Sequence, residues 1–470
     1  MIRRLIAVTA AVSLVAGCSH SGAGSATEPT KTNIVMVLTD DLSMNLVPYM
    51  PHVLALEKQG TTFADYTVTD SLCCPSRSSI FSGRFPHDTG IYTNGGRDGG
   101  FQTFKSRGEE SSTFATDLQR AGYRTAMMGK YLNGYAPNDK YVPPGWTEWD
   151  VAGNGYPEYN YNLLQNGQIQ HYGHDYLTDV VSGKASDFIS TSAKAGKPFM
   201  VEVATFAPHA PYTPADPDKD KFPGLKAPRT AAYDVLPTDP PPWLADRQPL
   251  TSTEQTAIDT AFRKRVQAVQ AVDRMIGSLE DTLDKAGVAD RTMVVFTSDN
   301  GYHMGEHRLN PGKQTAFDTD IHVPLVMAGP GVAKGATISR PAENIDLRPT
   351  YDALAGTATP ADVDGQSLLP LLGDHPPASW RTAALIEHHG PDNDATDPDH
   401  PAPNSGNPTS YEAIRTEGYT YVEYTDGAKE YYDHRADPDQ LHNTAEQLPP
   451  DQLTSLHKTL LALEGCHHAC

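Results

Sequence analysis

The chain has 470 residues, with 37 Lys and Arg against 58 Asp and Glu, for a formal charge of -21. That balance excludes a nucleic-acid partner, which needs a basic footprint. An anionic substrate must be drawn by a local cationic pocket set against a repulsive overall field. The 38 Pro and 38 Gly, spread along the chain, read as ordered loops, and the length suits one large α/β domain with an appendage or a few average domains.

Met1 to Arg4 is basic, and Leu5 to Val15 is apolar but too short to span a bilayer. The run ends in Val15-Ala16-Gly17-Cys18, which resembles a bacterial lipobox. The resemblance implies lipidation of Cys18; the alternative is an ordinary secretory signal with a chance Cys. Ser19 to Lys31 reads as a flexible tether. The expectation is a cell-envelope or secreted protein that meets the membrane only through its lipid anchor. Such a location permits disulfides, so Cys466 and Cys470 are expected to pair. Their sequence, Cys466-His467-His468-Ala469-Cys470, could instead hold a transition metal.

Asn33 to Leu38 is a continuous apolar, β-branched run, as in a strand buried on both faces of a parallel sheet. It stops at Asp40 and Asp41. Pro51 to Gly60 reads as a helix, Thr61 to Tyr66 as a strand, and Thr113 to Gly122 as a capped helix. Tyr123 to Met128 is a strand that delivers Lys130. From Asn133 to Gln170 the chain is rich in Gly, Pro, Asn and Tyr and reads as an irregular connection. Its stretch from Trp146 to Tyr161 is the expected substrate rim.

A helix over Tyr176 to Ser190 and a strand over Pro198 to Thr205 lead to His209, held between Pro208 and Pro211. The capping box Thr251-Ser252-Thr253-Glu254 opens a long amphipathic helix that ends at Gly287. Thr292 to Thr297 is a second buried strand, ending at Asp299 and Asn300, and Lys313 follows before a strand over Val323 to Ala328. Asn344 to Gly356 is helical. Beyond Pro376, Ala383 to Glu387, Tyr411 to Arg415, Tyr419 to Tyr424 and Glu430 to Asp433 read as short antiparallel strands before a last helix, Pro450 to Glu464.

The stretch Ser71 to Arg84 organises the rest. Cys73 is followed by Pro75, expected to prevent an ordinary helical turn, with Arg77 over the same site and Ile80 and Phe81 starting a helix afterwards. Taken singly, these features have plainer readings: a buried Cys pair beside a turn, solvated carboxylates, a solvated Lys, a structural loop His. Taken together they converge, because parallel sheets place their sites beyond the strands' C-terminal ends. Asp40, Asp41, Asp299 and Asn300 supply hard oxygens, which suit Ca²⁺ or Mg²⁺. Arg77, Lys130, His209 and Lys313 supply donors for a tetrahedral oxyanion. A divalent ion, an anion clamp and a nucleophile describe sulfuryl or phosphoryl transfer.

The pattern Cys73-Cys74-Pro75-Ser76-Arg77 with Gly83-Arg84 resembles the sulfatase active-site motif. With Asp40-Asp41, Lys130, His209, Asp299-Asn300-Gly301 and Lys313, the resemblance covers the chain from Asn33 into the C-terminal subdomain. It implies the alkaline-phosphatase-like fold, an α/β architecture in which helices flank a large, mostly parallel sheet, with a smaller C-terminal antiparallel α+β subdomain. The expected division is 1–18 signal and lipobox, 19–31 tether, 32–375 catalytic domain and 376–470 C-terminal subdomain.

The resemblance also implies that Cys73, not Cys74, is converted to formylglycine by a formylglycine-generating enzyme. Ca²⁺, rather than Mg²⁺, would be bound by Asp40, Asp41, Asp299, Asn300 and residue 73. Arg77 would stabilise the aldehyde hydrate, Lys130 and Lys313 would hold the sulfate, and His209 would assist the leaving group. One departure is Leu132, where many sulfatases have His; His303 is the expected substitute. Gly129-Lys130-Tyr131-Leu132-Asn133 and Ala207-Pro208-His209-Ala210-Pro211 look like the N-acetylglucosamine-6-sulfatase branch. The expected activity is hydrolysis of sulfate esters, those of carbohydrates foremost. The rivals are a phosphonate monoester or phosphodiester hydrolase, and a sugar-binding lipoprotein that is never modified.

Overall fold

The computed structural model describes residues 31–373, 376–393, 397, 399–468 and 470. The leader, Cys18 and nearly all of the tether lie outside the described residues, as do Asp374 and His375 at the expected 375/376 boundary. Among the described residues no helix is long and apolar enough to cross a membrane.

Among the described residues, sixteen strands form three sheets. In chain order they are β1 Asn33–Thr39, β2 Thr61–Phe63, β3 Tyr66–Thr67, β4 Arg124–Lys130, β5 Glu148–Ala152, β6 Tyr161–Gln165, β7 Gln168–Tyr172 and β8 Phe199–Ala204. Then come β9 Thr292–Ser298, β10 Leu325–Ala328, β11 Ala336–Ile338, β12 Ala342–Glu343, β13 Ala384–His388, β14 Tyr411–Arg415, β15 Tyr419–Tyr424 and β16 Lys429–Asp433. The large sheet has ten strands in the order β11-β2-β10-β9-β1-β8-β4-β5-β6-β7. Its centre, β9-β1-β8-β4-β5, is wholly parallel, while β10 and β6 run antiparallel to their neighbours. Every residue of β1, β8 and β9 is buried, which explains their unbroken apolar sequences. Two large apolar clusters cover the two faces, and the long helix Ser252–Lys285 packs into one of them through Ile258, Phe262, Val266, Val269 and Ile276.

Two local expectations are corrected. The stretch from Glu148 to Tyr172 is not an irregular loop, because it forms β5, β6 and β7 and extends the sheet edge. Its polar and aromatic residues suit strands exposed on one side, and β7 is mostly exposed. Nor does Pro75 delay a helix: the helix Cys73–Ser82 starts at Cys73 itself. Pro75 falls in the first turn, where a missing N–H breaks no intrahelical bond. Ile80 and Phe81 therefore end this helix, and Gly83 closes it in the left-handed conformation at φ 67°.

The end of that helix is tied down by Arg348, fully buried on the helix Leu347–Ala355. Its guanidinium donates to the Ser82 carbonyl at 2.6 Å and to the Asp117 carboxylate at 2.7 and 2.9 Å. The four-stranded antiparallel sheet β13-β14-β15-β16 and the helix Pro450–Glu464 follow as expected. The chain then closes with a disulfide between Cys466 and Cys470. In that bond neither sulfur is a free thiol. His87 fastens this tail: its Nδ1 meets Glu387 at 3.0 Å and its Nε2 donates to the Cys466 carbonyl at 3.0 Å.

Replacing Arg348 with Ala would leave the Asp117 charge buried and unpaired, so we expect a loss of about 3–5 kcal/mol, read as a lowered urea midpoint. His87 gives a pH-dependent counterpart. Burial alone would lower its pKa, but Glu387, the Cys466 carbonyl and Asp88 raise it to about 9. A folded pKa above the ordinary value of 6.5 means stability that is complete below that pH and lost as pH rises toward 9. We expect the wild-type midpoint to fall over that window more steeply than that of His87→Gln.

Candidate active site

Four adjacent parallel strands, β9, β1, β8 and β4, deliver one functional group or pair each from their C-terminal ends. Thr39 pairs with Ser298 in register, so Asp40 and Asp41 emerge beside Asp299 and Asn300. The next strand, β8, leads into the loop bearing His209, and β4 ends on Lys130. Gly129 is required before Lys130: its φ is 98°, and a Cβ there would lie 1.9 Å from the Ala204 carbonyl oxygen of β8. Into this row the helix Cys73–Ser82 points its N-terminus, with Cys73 on the first turn and Arg77 one turn later.

Cys73 is fully buried. Its Sγ lies 2.8 Å from Lys313 Nζ, 3.4 Å from Asp40 Oδ1 and 4.0 Å from Asp41 Oδ1. Lys130 Nζ donates to Asp40 Oδ2 at 2.6 Å, and Lys313 Nζ to Asp41 Oδ1 at 2.7 Å. Arg77 donates through Nε to Asp299 Oδ2 at 2.8 Å and through Nη1 to the Lys130 carbonyl at 3.0 Å. His209 donates from Nδ1 to the Ala210 carbonyl at 2.7 Å, leaving Nε2 bonded to Asp399 and 3.7 Å from Asp41. Asp41 has a left-handed φ of 64°, which Asp tolerates better than most residues. Its carbonyl accepts from Arg265, a buried residue of the long helix whose guanidinium lies 4.3 Å from the Tyr302 ring centre.

The cluster is electrostatically interlocked. Burial would raise the Asp299 pKa, but Arg77, Lys130 and Lys313 hold it at about 2. Burial would lower both lysines, yet Asp40 keeps Lys130, and Asp399 and Asp41 keep Lys313, well above the usual range. His209 is likewise held up at about 8, against burial, by Asp399, Asp41 and Asp40. The Cys73 thiol is pushed well above its ordinary value, first by burial and then by Asp399. An unmodified Cys73 is therefore a thiol rather than a thiolate, and a poor nucleophile.

The donor set fits a hard cation. Asp40, Asp41, Cys73 and Asp299 bring ligand atoms within 4.8 Å of one another. Asn300 spends its amide on the Asp41 carboxylate at 2.7 Å, and its Oδ1 is buried with no hydrogen-bond partner. Three carboxylates and an orphaned amide oxygen suit Ca²⁺ or Mg²⁺ better than a metal that prefers nitrogen and sulfur.

Most of the expected residues thus meet at Cys73, but not all. His303 is held elsewhere, with Nδ1 3.0 Å from the Asp320 carboxylate and Nε2 bonded to the Ser405 carbonyl at 2.9 Å. With both nitrogens engaged it cannot replace the histidine missing at Leu132, itself buried in the apolar core. The expected rim, Trp146 to Tyr161, reaches the site through one aromatic residue and not through Trp146 or Tyr159. Trp146 packs against Phe81, Phe114 and Trp149, and Tyr159 against Tyr176. The aromatic wall at the site is Tyr156, 4.6 Å from the His209 ring centre and 5.0 Å from Lys130 Nζ. Asp399, Asn94 and Asn133 also belong to the site, beyond the residues expected from the sequence. Asn133 ends the Lys130 segment and was open to notice, whereas Asp399 lies in a Pro- and Asp-rich loop that reads as a turn. A cavity of about 430 Å³ opens here, lined by Asp41, His209, Tyr212, Tyr302, Lys313 and Asp399 among others.

A nucleophile position at a helix N-terminus, a hard-cation cradle and three buried cations define a hydrolase for esters of a tetrahedral oxyanion. Comparison with known proteins narrows the class. Residues 32–357 match the Sulfatase family, and residues 305–465 match N-sulphoglucosamine sulphohydrolase, C-terminal. Human N-acetylglucosamine-6-sulfatase is 32% identical over an alignment that covers 94% of this chain and 86% of the human protein. The chain belongs to the sulfatase family and is a sulfuric ester hydrolase. Its fold is shared with a protein solved in complex with its substrate D-glucosamine-2-N,6-O-disulfate, at TM-score 0.74 and 24% identity over 92% of this chain and 97% of that one. It is shared as well with the phosphonate monoester hydrolase of Agrobacterium radiobacter, at TM-score 0.68 and 20% identity over 92% and 95%.

Two aromatic substitutions should separate packing from binding. Trp146→Ala should cost roughly 3 kcal/mol of stability and leave KM unchanged. Tyr156→Ala should raise KM several-fold with little change in melting temperature.

Proposed function

We propose that this protein hydrolyses sulfate esters of carbohydrates, using formylglycine made from Cys73 and a bound Ca²⁺. The observation that carries this reading is the position of Cys73: buried on the first turn of its helix, 2.8 Å from Lys313 and flanked by Asp40 and Asp41. The carbohydrate reading is supported by the similarity to N-acetylglucosamine-6-sulfatase along nearly the whole chain.

Formylglycine at position 73 would supply a hydrated aldehyde as nucleophile, and a cation held by Asp40, Asp41, Asp299 and Asn300 would draw negative charge from the sulfate oxygens. The protein's own groups do the rest. Lys130 and Lys313 present ammonium donors on two sides of Cys73 and bind the sulfate oxygens, where developing charge makes their hydrogen bonds strongest. Arg77 fixes the Asp299 carboxylate and joins it to the Lys130 backbone, so that the acidic and cationic halves of the site keep one geometry. His209, oriented by its Nδ1–H bond to Ala210, carries the Nε2 proton for the leaving sugar oxygen. The half-buried Tyr156 and the Tyr212–Tyr302 pair, joined at 2.8 Å, shield the reacting centre from water.

Export is the reading that the basic and apolar leader supports, with anchoring through Cys18. The Cys466–Cys470 disulfide is compatible with an oxidising compartment. The catalytic body would then run from 32 to 375 and the C-terminal subdomain from 376 to 470.

Mass spectrometry of the Cys73 peptide from the native host should show the aldehyde. 4-Nitrophenyl sulfate should be hydrolysed at least about a hundredfold faster than 4-nitrophenyl phenylphosphonate, and Lys130→Ala and Lys313→Ala should each lose about 10²–10³ in kcat/KM. An unmodified thiol in host protein, or a preference for the phosphonate, would overturn the reading. Chelation of divalent cations should abolish turnover and lower the melting temperature, and Asn300→Ala should weaken Ca²⁺ binding measured by calorimetry.

A further inference from the structure

Asp399 reaches His209 and Lys313 from the loop between β13 and β14, far in sequence from the strand ends that deliver the other carboxylates. Its side chain is 1% exposed. One oxygen accepts from His209 Nε2 and from Lys313 Nζ at 3.2 Å. The other accepts from the amides of Asn94 and Asn133, both at 2.9 Å. The Asn94 and Asn133 side belongs to a smaller hollow of about 210 Å³ that also contains Lys130 and Tyr156. Asp399 itself lines the larger cavity of about 430 Å³. The carboxylate therefore lines the larger space and is bonded, through Asn94 and Asn133, to side chains that line the smaller one.

This position has an electrostatic consequence. Lys313 and His209 are donors that a sulfate ester would use, and Asp399 already offsets part of their charge. The larger cavity adds Glu254 as a further carboxylate. Among the described residues lining it there is no arginine, and Lys313 is the one lysine. The donors around Cys73 can hold one anionic group. Beyond them the cavity is lined by His400, by the neutral amides of Asn310 and Gln314, and by the Glu254 carboxylate, which together with the negative charge of Asp399 disfavours a second anion.

We propose that Asp399 is a specificity-determining residue that confines this site to sulfate esters of otherwise neutral or cationic sugars and excludes a second sulfate from the cavity. The proposal rests on the sulfate-ester reading above. It separates this protein from its structural neighbour, which was solved with a disulfated glucosamine as substrate.

The test compares D-glucosamine 6-O-sulfate with D-glucosamine-2-N,6-O-disulfate on protein matured in the presence of its modifying enzyme, with 4-nitrophenyl sulfate as a general probe. Wild-type kcat/KM should favour the monosulfate by about tenfold or more, and Asp399→Asn should narrow the ratio to about threefold or less, since it removes one charge and keeps the shape. Calorimetry on Cys73→Ala protein, which lacks the nucleophile, should show the same preference in affinity and the same narrowing when Asp399→Asn is added. A wild-type enzyme that takes both sugars equally or prefers the disulfate overturns the proposal. So does a preference that Asp399→Asn leaves intact in a protein with unchanged circular dichroism. If none of the three sulfate esters is hydrolysed while the Cys73 peptide carries the aldehyde, the sulfate-ester reading itself fails and the proposal falls with it.

Discussion

The structure depends on keeping charges paired where they are almost wholly buried. Asp40, Asp41, Asp299 and Asp399 are buried together with Arg77, Lys130, Lys313 and His209. An isolated carboxylate or ammonium in such a place would be neutral rather than charged. Here each group is surrounded by partners of opposite sign, and the lysines and Asp299 stay ionised. The arrangement is poor value as a source of stability, because buried pairs barely repay their desolvation. Its use is a preorganised field that a sulfate ester can enter without moving dipoles or displacing a hydration shell.

Holding that field in register is the task of the sheet. Adjacent parallel strands bring carboxylate, carboxylate, histidine loop and lysine to one edge in lateral order, and register sets their heights. The nucleophile helix then has to be fixed against this edge at both ends. Its N-terminal half is bound through Ser76 to the Asp299 carbonyl and through Arg77 to the Asp299 side chain. Its last turn is held by Arg348. The C-terminal part of the chain closes the arrangement twice, once through the disulfide-pinned tail on His87 and once through Asp399 within the site. The antiparallel subdomain is thus more than an appendage, since the loop between its first two strands completes the donor and acceptor set around Cys73.

Much of this was legible in the residues themselves. Unbroken apolar runs marked β1 and β9, a capping box marked the start of the long helix, and charged groups directly after such runs marked the site. These are local signals, because a strand buried on both faces has few ways to be written and a charge at its end has few reasons to be there. The errors arose where local chemistry has two solutions. Pro75 is compatible with a loop and equally with the first turn of a helix, and the packing of all ten helix residues in the interior decides for the helix. The Gly-, Asn- and Tyr-rich stretch could be a loop or edge strands, and pairing of β5 with β4 makes it sheet.

By itself the sequence determined the alternation of strand and helix, the buried centre of the sheet, the Cys73 motif, the oxygen donors and the cationic residues gathered on them. Those properties follow from side-chain chemistry within a few residues. Only the tertiary structure decided that Tyr156 rather than Trp146 walls the site, that His303 is bound to Asp320, and that Asp399 joins His209 and Lys313. Each of these is a contact between segments far apart in the chain, created when the sheet and the C-terminal loop pack together, and no local pattern encodes which distant partner a polar side chain will meet.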